Sequence, residues 1–299
     1  MTIALADGGI ETALEDRLGQ ELPEFAAFVL LDSVDGRQAL RDYYRPFVEL
    51  ADRVGLPLVL DTPTWRANPD WLELLGYDAV AGDADIAARI NAAAVDLVRE
   101  VAAETAAAPV VVNGCVGPRF DDYDAAQRMT PEEAESYHAP QVAALAAAGA
   151  DRVTAVTVLD APEAIGVVRA ARRAGVPSAV SFTVGADGLL ASGDTLAEGI
   201  AAVDAATGNA PIGYLMNCAH PEEAARALRS GGSMDRVIGF RLNAAREGEE
   251  GPGDAPAAFA HGLTALRELA ANAEIFGGCC GTDAPHIAAV AGELGGAAQ

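Results

Sequence analysis

The sequence predicts an α/β protein of the (β/α)₈ TIM-barrel type. Eight short β-type runs recur along the chain, most of them near-continuously apolar, with Ala-rich segments of helical period between them. Strands buried on both faces read as continuous apolar runs, and strands alternating with helices build parallel sheets. Eight βα units are the number that closes a barrel. An open doubly wound sheet is the alternative. Its dinucleotide-binding version is weakened because no G-x-G-x-x-G follows an early strand.

The first run, 3–9, ends on Asp7-Gly8-Gly9, and the second, 57–62, leads into Asp61-Thr62-Pro63-Thr64-Trp65. A helical segment at 83–107 returns the chain to the third run, 109–115, which closes on Asn113-Gly114-Cys115. The next helix, 131–148, opens with Thr130 as N-cap and Pro131 at the first helical position, and Gly149 stands at its C-terminal cap. Run four, 151–158, carries Thr157 near its end, and the helix at 162–174 stops at Gly175. Runs five and six, 177–184 and 211–218, follow, the latter ending on Asn217-Cys218. Run seven, 236–243, ends on Asn243. The low-complexity loop at 248–256 then reads either as a lid or edge loop or as plain disorder. Run eight, 273–279, enters a glycine-rich turn and a helix-like stretch from Asp283.

The length allows about two domains, but barrels of this size often form one. We therefore expect a single domain over residues 1–299. There is no run of 18 or more apolar residues, and the first residues lack the basic start of a signal peptide. A cytoplasmic protein is expected. Four cysteines in such a chain favour metal or catalytic use over disulfides. The net charge of −24 argues against nucleic acid and anionic membranes as partners and serves solubility. Lysine is absent, so the basic residues are all Arg.

The most informative residues are Gly277-Gly278-Cys279-Cys280-Gly281-Thr282. Adjacent cysteines rarely bridge each other, because that geometry strains the backbone. With Cys218 they supply three thiolates, and the ends of strands six and eight face one barrel mouth. The three sulfurs are expected within about 4–5 Å of one another, around a zinc ion with Zn–S bonds of about 2.3 Å and one open position. Cys115 reads as a small buried hydrophobe or a spare thiol near the site. A phosphate cradle at 277–282 is a weaker reading, since cysteines add nothing to phosphate binding. His220 competes as a ligand, but Pro221-Glu222-Glu223 looks like a helix start, so a capping or solvent role is expected. A Cys₃ zinc suits the capture of a thiol as its thiolate. Free thiols have a pKa of about 8.5, and coordination removes the proton. The matching reaction is in-line attack on an activated methyl group, such as that of a sulfonium.

These motifs carry a family resemblance. Asp7-Gly8-Gly9-Ile10-Glu11-Thr12-Ala13-Leu14-Glu15, Gly114-Cys115-Val116-Gly117-Pro118, Asn217-Cys218 and the 277–282 turn resemble the zinc-dependent homocysteine S-methyltransferases, over nearly the whole chain. The resemblance implies a (β/α)₈ barrel with zinc on Cys218, Cys279 and Cys280. It also implies that Asp7 and the backbone of Gly8 and Gly9 hold the amino acid substrate. Thr62, Trp65, Thr157 and Asn217 complete the expected substrate-binding set. Trp65 has two readings, a cation–π face for a cationic methyl donor and simple rim packing. Asn243-Ala244 fits the family's loop after strand seven. One departure matters: the family usually places an acidic residue at the end of strand four to hold the substrate amino group, and here that place reads Ala155-Val156-Thr157. Either Asp160 substitutes from the loop, or the acceptor thiol lacks the amine.

The expected function is methyl transfer from a small onium donor (S-methylmethionine, S-adenosylmethionine or a betaine) to the zinc-bound thiolate of homocysteine, giving methionine. The same chemistry on another thiol is the first alternative, and a non-catalytic zinc or thiol-redox protein is the second. The partners are then a small thiol and an onium compound, with self-association into a homo-oligomer left open.

Overall fold

All eight expected strands form, and they close. The computed structural model describes residues 2–77, 86–104, 108–120 and 127–296. The strands are β1 Ala4–Ala6, β2 Leu58–Asp61, β3 Val110–Val116, β4 Arg152–Val158, β5 Ser178–Phe182, β6 Tyr214–Asn217, β7 Val237–Leu242 and β8 Ile275–Gly278. Each pairs in parallel with the next, and β8 pairs with β1 to complete the barrel. Most are shorter than the apolar runs that announce them. Pro57, Pro109 and Pro177 have no N–H to give a ladder, so each precedes its strand. Their carbonyls still accept from the neighbouring strand, at Leu5, Leu58 and Val153 respectively, over 2.8–2.9 Å.

The helices are α1 Ile10–Asp16, α2 Val34–Val54, α3 Pro69–Leu74, α4 Ile86–Ala102, α5 Pro131–Ala147, α6 Ala161–Ala174, α7 Leu196–Thr207, α8 Pro221–Arg229, α9 Pro256–Ala265 and α10 Ala284–Gly296. Of the segment expected at 83–107, residues 83–85 and 105–107 lie outside the described residues. The start of α5 is as expected, with a full capping box between Thr130 and Glu133. Gly149 and Gly175 both take positive φ, +87° and +73°, just past their helices. The connection from β1 to β2 is richer than the sequence suggested: it holds α1, short 3₁₀ turns at Pro23–Phe25 and Ala27–Asp32, and the long α2.

Strand residues alternate between two environments. Leu5, Leu58, Leu60, Val180, Met216 and Phe276 join the large core shared with the helices. Ala6, Val59, Ala179, Leu215 and Ile275 form a separate, smaller cluster on the other face, inside the barrel. Above that layer the interior turns polar. Arg152 Nε and Thr154 Oγ1 both donate to Asn113 Oδ1, and Asn113 Nδ2 donates to Asp61 Oδ1 over 2.6 Å. This network is the floor of the mouth. Among the described residues, no helix is long and apolar enough to cross a membrane.

Candidate metal and substrate site

Cys218, Cys279 and Cys280 meet at the mouth. Their sulfurs lie within 4.8 Å of one another, and no other described residues make such a group of possible metal ligands. Cys218 leaves β6 with φ +53°, a left-handed conformation that costs a β-carbon about 1 kcal/mol or more. Thr157, at the same level on β4, does likewise at +60°. Asn217 ties the two together. Its side-chain oxygen accepts from the Thr157 N–H at 3.0 Å and from Ser181 Oγ at 2.6 Å, and its amide donates to Thr157 Oγ1 at 2.9 Å. Thr157 Oγ1 in turn lies 3.7 Å from Cys218 Sγ. Asn217 and Thr157, expected as substrate contacts, thus also brace the first thiol.

The other two sulfurs are set by the turn after β8. Cys279 N–H donates to the Leu242 carbonyl, and Thr282 Oγ1 donates back to the Cys279 carbonyl at 2.7 Å. Glycine is required at position 9 by close approach. A β-carbon there would sit 2.7 Å from both the Cys279 carbonyl carbon and Thr12 Oγ1, and nearer still to the Cys279 carbonyl oxygen. Sγ of Cys218 and Cys279 are 2.9 Å apart. Hydrogen bonds from the other two thiols pull the Cys218 pKa well down. The same contacts, with burial, push Cys279 up to about 12 and Cys280 up as well. Three thiols this close form a donor set that a divalent cation completes by displacing the thiol protons.

The sulfurs floor a cavity at the barrel mouth. Gly8, Gly9, Thr62, Trp65, Thr157 and Asn217 all line it, so six of the seven expected substrate residues share one space. Asp7 sits behind that wall. It is 1% exposed, accepts from Arg241 Nη2 at 2.5 Å, and lies 3.3 Å from the Tyr43 hydroxyl. Arg241 also pairs with Asp61. Burial pushes the Asp7 carboxyl up to about 7, against the pull of the Arg241 guanidinium. Thr62 Oγ1 accepts from the Cys115 N–H at 3.0 Å. The Trp65 ring already faces one cation, the Arg66 guanidinium, 4.6 Å from its centroid.

Several open choices resolve. Cys115 is buried, lines the cavity, and stands outside the sulfur cluster; burial pushes its thiol well up. His220 caps α8, with Nδ1 accepting from the Glu222 N–H and Nε2 3.0 Å from Asp254. Neither therefore offers a fourth ligand. Asp160 does not replace the acid missing at Val156. It caps α6 through the Glu163 N–H and pairs with Arg128 at 2.6 Å. The loop after β7 is an anchored edge loop: Asp254 meets His220, its carbonyl faces His286 Nε2, and its N–H donates to Ala244.

Two charged cavity residues escaped the sequence reading, Glu11 and Arg241, as did the aromatic Phe25. Arg241 had a usable signal, since a charged residue inside a strand buried on both faces needs partners. Glu11 had only its place in the Asp7–Glu15 motif. Burial pushes its carboxyl up to about 8, and the nearby charges of Cys279, Asp61 and Asp7 add to the shift.

Comparison with known proteins is consistent with this geometry. The homocysteine S-methyltransferase family profile matches residues 4–294. The metallated form of the Escherichia coli homocysteine methyltransferase MmuM has 24% identity and a TM-score of 0.77, covering 98% of this chain and 96% of MmuM. Its oxidized form has 22% identity and a TM-score of 0.79, covering 97% and 96%. At these identities the structural likeness is one of fold. Among curated proteins, none matches the chain in sequence.

Proposed function

The chain belongs to the homocysteine S-methyltransferase family, and from that premise we propose a zinc-dependent enzyme that moves a methyl group from a small onium donor to the sulfur of homocysteine, giving methionine. The observation that carries the zinc reading is the sulfur cluster of Cys218, Cys279 and Cys280 on the cavity floor. Tetrahedral Zn–S bonds of about 2.3 Å place sulfurs about 3.8 Å apart, which three sulfurs within 4.8 Å of one another meet with small side-chain rotations. Zinc held there supplies an open position at which a thiol is a thiolate near neutral pH.

The chain's own residues do the rest. Asn217 and Thr157 hold Cys218 in its left-handed conformation, and Thr282 holds the turn that carries Cys279. Asp7, through Gly8 and Gly9, shapes the wall beside the sulfurs, and Thr62 and Trp65 border the same space. Trp65 puts an aromatic face on the cavity, which suits a cationic onium donor. A sulfonium leaves as a neutral thioether, so no side chain has to protonate it. We read residues 1–299 as one barrel unit working in a reducing compartment such as the cytoplasm, in keeping with four free cysteines. A structural zinc usually has four protein ligands, and the lack of a fourth near the cluster among the described residues weighs against a non-catalytic role.

The test is zinc content together with methionine formation from homocysteine, with S-methylmethionine, S-adenosylmethionine and betaine as separate donors and mass spectrometry as readout. We expect one zinc per chain, turnover with one donor class, and no turnover in Cys280→Ala. Full activity of the metal-free protein overturns the proposal.

A further inference from the structure

Val156 brings only methyl groups to the cavity, and an amino acid acceptor bound there would bring an ammonium. An ammonium taken out of water needs an anion within reach. Four carboxylates come into question. Asp160 is held by the α6 N-terminus and Arg128. Asp7 lies behind the wall with Arg241 and Tyr43. Asp61 reaches the cavity, but it is paired with Arg241 and accepts from Asn113. Glu11 lines the cavity, and apart from its own backbone N–H its carboxylate has no partner among the described residues. It stands in the first turn of α1, two residues past Gly9, which packs on the Cys279 carbonyl. The free carboxylate and the sulfur cluster therefore border the same space.

Resting on the methyltransferase reading above, we propose that Glu11 binds the ammonium of the amino acid acceptor and so sets the enzyme's choice of homocysteine over thiols without an amine. The carboxylate that the fourth strand lacks at Val156 is supplied from α1. The acceptor's sulfur then lies toward Cys218, Cys279 and Cys280 while its amino group turns toward the first helix. The ammonium gives Glu11 a cation that no other described residue supplies, and beside it a carboxyl that burial pushes up to about 8 ionises. Asp7, Asp61 and Arg241 stay as a closed set behind and beside it.

The test uses full-length zinc-loaded protein and two readouts. Calorimetry compares the product, methionine, with 4-(methylthio)butanoate, which differs only in lacking the amine. Turnover compares homocysteine with 4-mercaptobutanoate. The wild type is expected to prefer the amine-bearing member of each pair by about tenfold or more, the worth of one charge-assisted hydrogen bond. Glu11→Gln is expected to lose that preference with unchanged zinc content, and Val156→Glu in the Glu11→Gln background to regain part of it. A wild type indifferent to the amine overturns the proposal without any variant. So does a Glu11→Gln protein that keeps the preference, or one whose only change is a weaker KM for the onium donor. Failure of the parent reading is distinct, since neither thiol is then methylated.

Discussion

Replacing Arg241 with methionine removes the one cation shared by Asp7 and Asp61. Both carboxylates are nearly inaccessible to water, and Arg241 contacts each directly. The variant relieves the loss by taking up about one proton more than the wild type. Neutralising a carboxylate of ordinary pKa, about 3.9, at pH 7 costs about 4 kcal/mol at about 1.4 kcal/mol per pH unit. That agrees with the roughly 3–5 kcal/mol found when one partner of a buried ion pair is removed. Against a usual total of about 5–15 kcal/mol, the loss is large but survivable. The sign with pH follows from the extra proton. A carboxyl whose pKa is raised on folding, as burial raises Asp7 to about 7, favours the folded state at low pH and opposes it as pH rises. The gap between variant and wild type should therefore narrow by about 2–3 kcal/mol between pH 7 and pH 5. Urea unfolding followed by tryptophan fluorescence and far-UV circular dichroism measures it. Adding Asp61→Asn to the variant should recover most of the loss, because Asn keeps the acceptor for Asn113 without the charge. A gap under about 1 kcal/mol at pH 7, or one that does not move with pH, refutes the ion-triad account.

Further outcomes are expected elsewhere in the molecule. Gly9→Ala drives a β-carbon into the Cys279 carbonyl, and an overpacking strain of about 1–3 kcal/mol on that turn weakens zinc binding by about 5- to 150-fold, read by competition with a chromogenic chelator. Zinc bound at about a thousand times its Kd adds about 4 kcal/mol to stability, so a chelator should lower the melting temperature of the wild type and leave that of Cys218→Ala unmoved. Thr130→Ala removes the N-cap of α5 and should cost about 1 kcal/mol in urea unfolding without changing zinc content.

Much of the barrel was legible in the chain because its signals are local. A buried parallel strand is an apolar run whoever its neighbours are, and a Pro or Gly marks a boundary by its own φ. Thus Pro57, Pro109 and Pro177 announce β2, β3 and β5, and Thr130 with Glu133 announces α5. The 34–54 helix was not legible, for it shares its stretch with 3₁₀ turns and carries Pro46 inside it. The three cysteines could also be read in advance, because each ends an apolar run and strand ends share one face of a barrel.

What only the tertiary structure decided is which charges meet. Asp160 looked available beside Val156 and is held by Arg128; His220 takes the capping role expected of it, but only the fold shows that its Nε2 meets Asp254. Arg241 joins Asp7 of β1's end to Asp61 of β2 across more than 170 residues of chain, and that pairing leaves Glu11 as the cavity carboxylate without a cation among the described residues. Patterns of burial repeat every two or four residues and can be read along the sequence. Neutralisation depends on distances between segments remote in the chain, and closing the barrel is what sets them.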